Sequence, residues 1–227
     1  MEKTIILCID TGGDVCSVAI YKGMQIKELE EKPGREHAKN LSLLIKEVLD
    51  KSKIKYIQID AIAINKGPGS YTGLRIAAST VKGICYVTGK PLIAIDSLLS
   101  LASLCDRADK DAIYCPMIDA RRNEVYCALF DADLNRLSDI QALKVGQDSF
   151  SHLYPERKII FFGSGADKCK TLIKRSNIDF IDLQSSARGL IKPAIDAWEQ
   201  KNFEDIAYFE PLYLKDFVAI KADNKFF

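Results

Sequence analysis

Two stretches of this chain can be laid over one another, Ile9-Asp10-Thr11-Gly12-Gly13-Asp14-Val15-Cys16-Ser17-Val18-Ala19-Ile20-Tyr21 and Ile118-Asp119-Ala120-Arg121-Arg122-Asn123-Glu124-Val125-Tyr126-Cys127-Ala128-Leu129-Phe130. Each reads as a strand ending in Ile-Asp, a polar turn, and a second strand closing on alanine, an aliphatic residue and an aromatic one. Short hairpins match one another by chance often enough that the echo alone proves little. The order of the later elements gives it weight, because each half continues with a further strand, a later strand and helices in the same succession. Duplication of one α/β unit is therefore the constraint that most limits the fold.

Two such halves facing each other make an actin-like fold of two ribonuclease H-like lobes, the architecture of acetate and sugar kinases. The chain of 227 residues suits two small lobes. The polar segment Asp106-Arg107-Ala108-Asp109-Lys110-Asp111 reads as a hinge, dividing an N-terminal lobe, 1–108, from a reduced C-terminal lobe, 109–227. In this architecture each lobe turns an Ile-Asp-x-Gly hairpin toward nucleotide phosphates. A tight glycine turn exposes backbone N–H groups to an anion, and the aspartate positions a metal or a water.

The local pattern agrees. Runs at Thr4 to Ile9, Val15 to Tyr21 and Met24 to Leu29 predict an antiparallel meander. A helix is predicted from His37 to Ser52, with Leu41, Leu44, Ile45, Val48 and Leu49 on one face. After a strand at Asp60 to Asn65, a second helix runs from Thr72 to Val87 and stops at Gly89-Lys90-Pro91. Leu92 to Ile95 is a strand, and Asp96 or Ser97 caps a helix through Leu104. Further strands are predicted at Ala112 to Ile118, Val125 to Phe130, Leu137 to Val145 and Lys158 to Phe162, with helices at Ala166 to Arg175 and Arg188 to Gln200.

Composition narrows the function. The net charge is +1, from 32 basic and 31 acidic residues, and lacks the basic excess of a chain that grips nucleic acid by itself. The seven cysteines are scattered with no Cys-x-x-Cys pair. That excludes a disulfide framework or zinc knuckle and favours a reducing compartment. The N-terminus enters a strand at once, and no apolar run approaches the length of a membrane span, so a cytoplasmic, membrane-free protein is expected.

Four segments are candidate sites. Asp10, Thr11 and Gly12 form a phosphate loop that is competent on paper. Its counterpart Asp119-Ala120-Arg121-Arg122 is not, because arginines stand where close backbone approach needs glycine. Gly163-Ser164-Gly165, ahead of a helix, matches the adenosine-side glycine turn or is a plain strand-to-helix turn. Half a clamp predicts a degenerate nucleotide cleft with no required cofactor, weak ATP or ADP binding staying open. In Gly67-Pro68-Gly69-Ser70-Tyr71-Thr72-Gly73-Leu74-Arg75 the glycines and Thr72 either cradle an anion at the helix N-terminus or make a tight connection. Arg75 on the first turn opposes the helix dipole, which a carboxylate within the chain or on another subunit would offset.

That nine-residue segment resembles the G-P-G-S-[FY]-T-G-L-R stretch of the TsaB family, also called YeaZ. The resemblance extends to Ile9-Asp10-Thr11, to Lys82-Gly83, to Asp119 through Tyr126 and to the closing Pro211-Leu212-Tyr213-Leu214-Lys215. The chain departs from the family at Gly12-Gly13, where Ser-Thr is frequent, and at Lys215, where arginine is usual. The resemblance implies a non-catalytic paralogue of TsaD, the subunit that forms threonylcarbamoyladenosine beside the tRNA anticodon. It implies pairing with TsaD, an ATPase (TsaE) joining the assembly, tRNA contact only through the complex, and a homodimer when TsaD is absent. TsaD-like subunits hold their metal with His-x-x-x-His, whereas this chain has only His37 and His152, far apart, and no nucleophile–base triad. The partner surface is expected on the two N-lobe helices, at Leu43, Ile76, Ala77, Thr80, Gly83 and Val87. The alternative from another class is an ATP-binding phosphotransferase or ATPase with Asp10 as its key carboxylate.

Overall fold

The computed structural model describes residues 4–23, 25–30, 37–150, 154–173 and 175–215. Its first five strands are β1 (Ile5–Asp10), β2 (Ser17–Lys22), β3 (Gln25–Glu30), β4 (Ala61–Gly67) and β5 (Leu92–Asp96). They form one sheet in the order β3-β2-β1-β4-β5. The β1-β2 and β2-β3 pairs are antiparallel, and β1-β4 and β4-β5 are parallel. The next five are β6 (Ile113–Asp119), β7 (Glu124–Cys127), β8 (Gln141–Lys144), β9 (Ile159–Phe162) and β10 (Ile178–Ile181). Read from its β8 edge, the second sheet runs β8-β7-β6-β9-β10. Antiparallel pairs again lie on one side of the lead strand and parallel pairs on the other. The same strand order with the same directions occurs twice, so the duplication is a property of the backbone.

The duplication reaches single hydrogen bonds. Gly12 N donates to Asp10 Oδ1 at 2.9 Å, and Arg121 N donates to Asp119 Oδ1 at 2.6 Å. Both hairpin aspartates thus fold the turn after their strand by the same side-chain-to-backbone bond.

Helices α1 (His37–Ser52) and α2 (Tyr71–Thr88) cover one face of the first sheet. All five apolar residues of the predicted α1 stripe are buried, as are Leu74, Ala78, Val81 and Cys85 of α2. Ser70 caps α2, accepting from Gly73 N at 3.3 Å, and Gly89 ends it in the left-handed region at φ 66°. Asp96 caps α3 (Ser97–Leu104), accepting from Leu98 N and Leu99 N.

Helix α3 packs on one face of the second sheet, where Leu98 and Leu101 meet Tyr114, Phe130 and Phe162. The short helix α4 (Ala166–Lys170) covers the other face. The last helix, α5 (Ile191–Glu199), and the 3-10 turn before it pack on the free face of the first sheet against β1, β4 and β5. A boundary at 108/109 therefore separates the sheets but not the packing, because the chain after β10 crosses back to complete the first lobe. The apolar residues of the 3-10 turn and α5, from Ala187 to Ala197, cover Ile6, Cys8 and Ile93, which would otherwise face solvent.

Three local expectations are corrected. The helix expected from Ala166 to Arg175 stops at Lys170, and Arg175 instead donates to the carbonyls of Phe150 (2.5 Å) and Tyr154 (2.7 Å). Strand β10 was not expected from the pattern, being four residues on the sheet edge. The helix expected from Arg188 begins as a 3-10 turn, Ala187–Leu190, capped by Ser186. Met24 and His152 lie outside the described residues. Among the described residues, no helix is long and apolar enough to cross a membrane. All seven cysteines are buried as free thiols.

Candidate functional site

The end of β1 delivers Asp10, Thr11 and Gly12 to the centre of the molecule, between the lobes. Asp10 is 1% exposed and Thr11 fully buried. Asp10 Oδ1 accepts from Gly12 N and, at 2.7 Å, from Asn65 Nδ2. Burial raises the Asp10 carboxyl to about 6, and those two hydrogen bonds pull the other way without cancelling it. Asn65 Oδ1 and Ser97 Oγ, both buried, have no hydrogen-bond partner among the described residues. Asp10, Asn65, Ser97 and Ser164 line a cavity of about 10 Å³, room for roughly one water molecule.

The second loop is built differently. Asp119 is exposed where Asp10 is buried, and its carboxylate is ion-paired to Lys168. Arg121 and Arg122 both adopt positive φ, at 64° and 51°, a conformation that costs energy in residues with side chains. Their exposed side chains line a separate cavity of about 210 Å³ at the mouth between the lobes, with Thr72 and Tyr126 also on its wall. Gly163 and Gly165 are occupied by packing. A Cβ on Gly163 would lie 2.3 Å from the Met117 carbonyl oxygen, and one on Gly165 2.9 Å from Val125. The first loop thus faces a small cavity, the second an open basic mouth, and Gly163 and Gly165 are taken up by packing.

The Gly67–Arg75 segment ties three parts of the chain together. A Cβ at Gly73 would fall 1.9 Å from the Thr11 carbonyl oxygen, and one at Gly69 2.6 Å from that of Gly12. Ser70 N donates to Gly12 O at 2.8 Å, and Thr11 Oγ1 to Gly73 O at 2.7 Å. The Gly67–Pro68 peptide is cis, and Gly67 has φ 110°. There it meets the closing segment, whose Leu212 N donates to Lys66 O at 2.6 Å. Tyr213 packs on Tyr71 with ring centroids 4.9 Å apart. Arg75 lies 5.1 Å from the Tyr71 centroid and donates to its hydroxyl. Within the described chain, Arg75 thus meets a phenol and its π-face. Lys215 completes the strap by reaching Ala120 O at 3.3 Å and the Glu124 carboxylate of the second hairpin. Its ammonium holds Glu124 below the usual carboxylate range.

On the outer surface of the first lobe, Leu43 of α1 is 60% exposed and Val87 of α2 is 83% exposed. Gly83 is exposed, with nothing within 4 Å of where a Cβ would lie, and Ile76 and Thr80 are half-buried. Ala77 is a correction. It is fully buried in the lobe's own core, because it continues the inward stripe beside Ala78 and Val81. Tyr86, 81% exposed next to Val87, belongs to the same surface and was missed by the sequence reading. Its signal was its place three residues after Gly83 on a helix. Asn65 was missed as well, though it is the lone polar residue in the run Ala61-Ile62-Ala63-Ile64-Asn65.

Among the described residues, no three His, Cys, Asp or Glu side chains converge as metal ligands. Duplicated ribonuclease H-like sheets around a buried aspartate, Asp10, define an actin-like, two-lobed protein. Residues 30–210 match the family profile described as "TsaD: tRNA N6-adenosine threonylcarbamoyltransferase". The tRNA threonylcarbamoyladenosine biosynthesis protein TsaB of Buchnera aphidicola is 32% identical over 173 residues, 76% of this chain and 72% of that one. TsaB of Escherichia coli is 27% identical over 229 residues, covering 95% and 96% of the two chains. The solved structure of YeaZ from Pseudomonas aeruginosa superposes with a TM-score of 0.82 at 26% identity, covering 93% of this chain and all of that one. The chain belongs to the TsaB (YeaZ) family, whose sequence is related to that of the TsaD transferase.

Proposed function

We propose that this protein takes part in forming threonylcarbamoyladenosine in tRNA as a subunit without chemistry of its own, paired with TsaD through the outer surface of α1 and α2. Membership in the TsaB family supports the pathway. The observation that carries the non-catalytic role is the small size of the cavity at Asp10. A space of about 10 Å³ cannot admit a triphosphate, which needs a pocket on the order of 300 Å³ or more. The duplicated loop that would close on phosphates offers Arg121 and Arg122 side chains in place of bare backbone. In this reading no cofactor is required, and the small cavity at Asp10 argues against the phosphotransferase alternative.

The glycines of the 67–73 segment support the same view. They let the first loop, α2 and the closing strap pack backbone to backbone, which fixes the lobe that carries the partner surface. Leu43, Gly83, Tyr86 and Val87 then present apolar and small groups outward, suited to helices of a related lobe. In this proposal a homodimer uses the same patch when TsaD is absent, TsaE joins the pair, and tRNA is met only by the assembled complex.

Reconstitution tests the proposal. The chain, its cognate TsaD and the ATPase subunit are mixed with tRNA and the threonylcarbamoyl donor, and modified adenosine is measured. Omitting the chain should abolish the product, and Asp10→Asn should leave the product intact. Loss of product with Asp10→Asn, from protein that still binds TsaD, would move the chemistry into this subunit and refute the reading.

A further inference from the structure

On the face of the first sheet opposite α1 and α2, a cavity of about 360 Å³ opens at the end of α5. It is lined by Thr4, Tyr21 of β2, Ile195 and Trp198 of α5, Glu199, Lys201 and Phe203. The Trp198 and Phe203 rings have centroids 5.6 Å apart and are inclined at 51°, so they form a notch rather than a stack. Glu199 is exposed and has no ion-pair partner among the described residues. The cation–ring contacts of the described residues fall on Tyr71, Phe130, Tyr154 and Phe180, leaving Tyr21, Trp198 and Phe203 without one.

We infer that this aromatic notch, with Glu199 at its edge, binds a small quaternary ammonium compound. The walls carry three aromatic rings, whose π-faces attract cations, and beyond Glu199 only the Thr4 and Tyr21 hydroxyls as side-chain acceptors. A primary ammonium would find few partners for its three N–H groups among these rings, whereas a quaternary nitrogen has none to satisfy. The Glu199 carboxylate supplies the opposite charge, and the volume lies within the range of small-ligand sites, about 300–1,000 Å³. Lys201 at the rim bears the ligand's own sign and works against binding. The notch touches neither the Asp10 cavity nor the α1–α2 surface, so it stands apart from the proposed role of the chain in the complex.

Trp198 is the single tryptophan of the chain, so its fluorescence reports this cavity alone. Titration with choline or tetramethylammonium at constant ionic strength should give a saturable change with half-saturation on the order of 1 mM. The neutral isostere 3,3-dimethyl-1-butanol should bind far more weakly. Glu199→Gln should weaken choline by about threefold or more, with an unchanged melting curve because the side chain is exposed, and Lys201→Gln should bind at least as well as the parent. No saturable change, equal affinity for the neutral isostere, or an unaltered response in Glu199→Gln would each overturn the inference.

Discussion

Replacing Asp10 with asparagine removes a charge from a carboxyl that is 1% exposed and has no cationic partner among the groups that shift it. Burial raises its pKa from 3.8 to about 6. At about 1.36 kcal/mol for each tenfold change in proton affinity, that rise is worth about 3 kcal/mol. Because the folded value is the higher one, the native state binds the proton more tightly than the unfolded chain does. The carboxyl's favourable contribution is therefore complete below about pH 4 and is lost as the pH climbs to about 6. Linkage between the two values gives a cost of about 1 kcal/mol at pH 4.5 and about 3 kcal/mol at pH 7.5. An asparagine keeps an oxygen to accept from Gly12 N and Asn65 Nδ2 and carries no charge. Urea melts of the parent and Asp10→Asn should thus diverge as the pH rises, with the variant ahead by about 3 kcal/mol at pH 7.5. That corresponds to roughly 6–12 °C in Tm for a chain of this size. A gap that does not change between pH 4.5 and 7.5 would show that Asp10 is not a destabilising buried charge, and a less stable variant at pH 7.5 would refute the argument outright.

Gly73→Ala should lose roughly 3 kcal/mol or more of stability in a denaturant melt, because its Cβ would stand 1.9 Å from the Thr11 carbonyl oxygen and the clamp would have to open. Gly83→Ala faces open space and should stabilise the isolated chain by up to about 1 kcal/mol. The same substitution should weaken association with TsaD if α2 meets a partner helix there, and calorimetry that finds unchanged affinity would clear Gly83 from the interface. Leu43→Asp should leave the melt unchanged and cost on the order of 2 kcal/mol in association, read by a pull-down and a titration; undiminished binding would place the partner elsewhere.

The sequence by itself determined most of the elements and their duplication, β10 and the extents of the last two helices excepted. The α1 stripe of Leu41, Leu44, Ile45, Val48 and Leu49 is buried as its 3.6-residue period requires. The Ile-Asp hairpins recur because a strand ending in aspartate folds the next turn with its own side chain. The spacing of Gly67, Gly69 and Gly73 marked a place of close backbone approach. It did not say what approaches, since an anion and another stretch of main chain make the same demand. Only the tertiary structure filled that space with Thr11, Gly12 and Leu212. It also decided that Asp10 is buried beside Asn65 and Ser97 while its repeat, Asp119, is exposed and bound to Lys168. Ala77 turned inward where a small helical residue had read as a contact for a partner, because a small side chain suits close packing against either neighbour. Helix α5 joined the first lobe although it follows the second in sequence. A local pattern records which face of an element must be dry, and the apolar surface that dries it is chosen by the whole fold, which left Ile6, Cys8 and Ile93 uncovered until the chain returned.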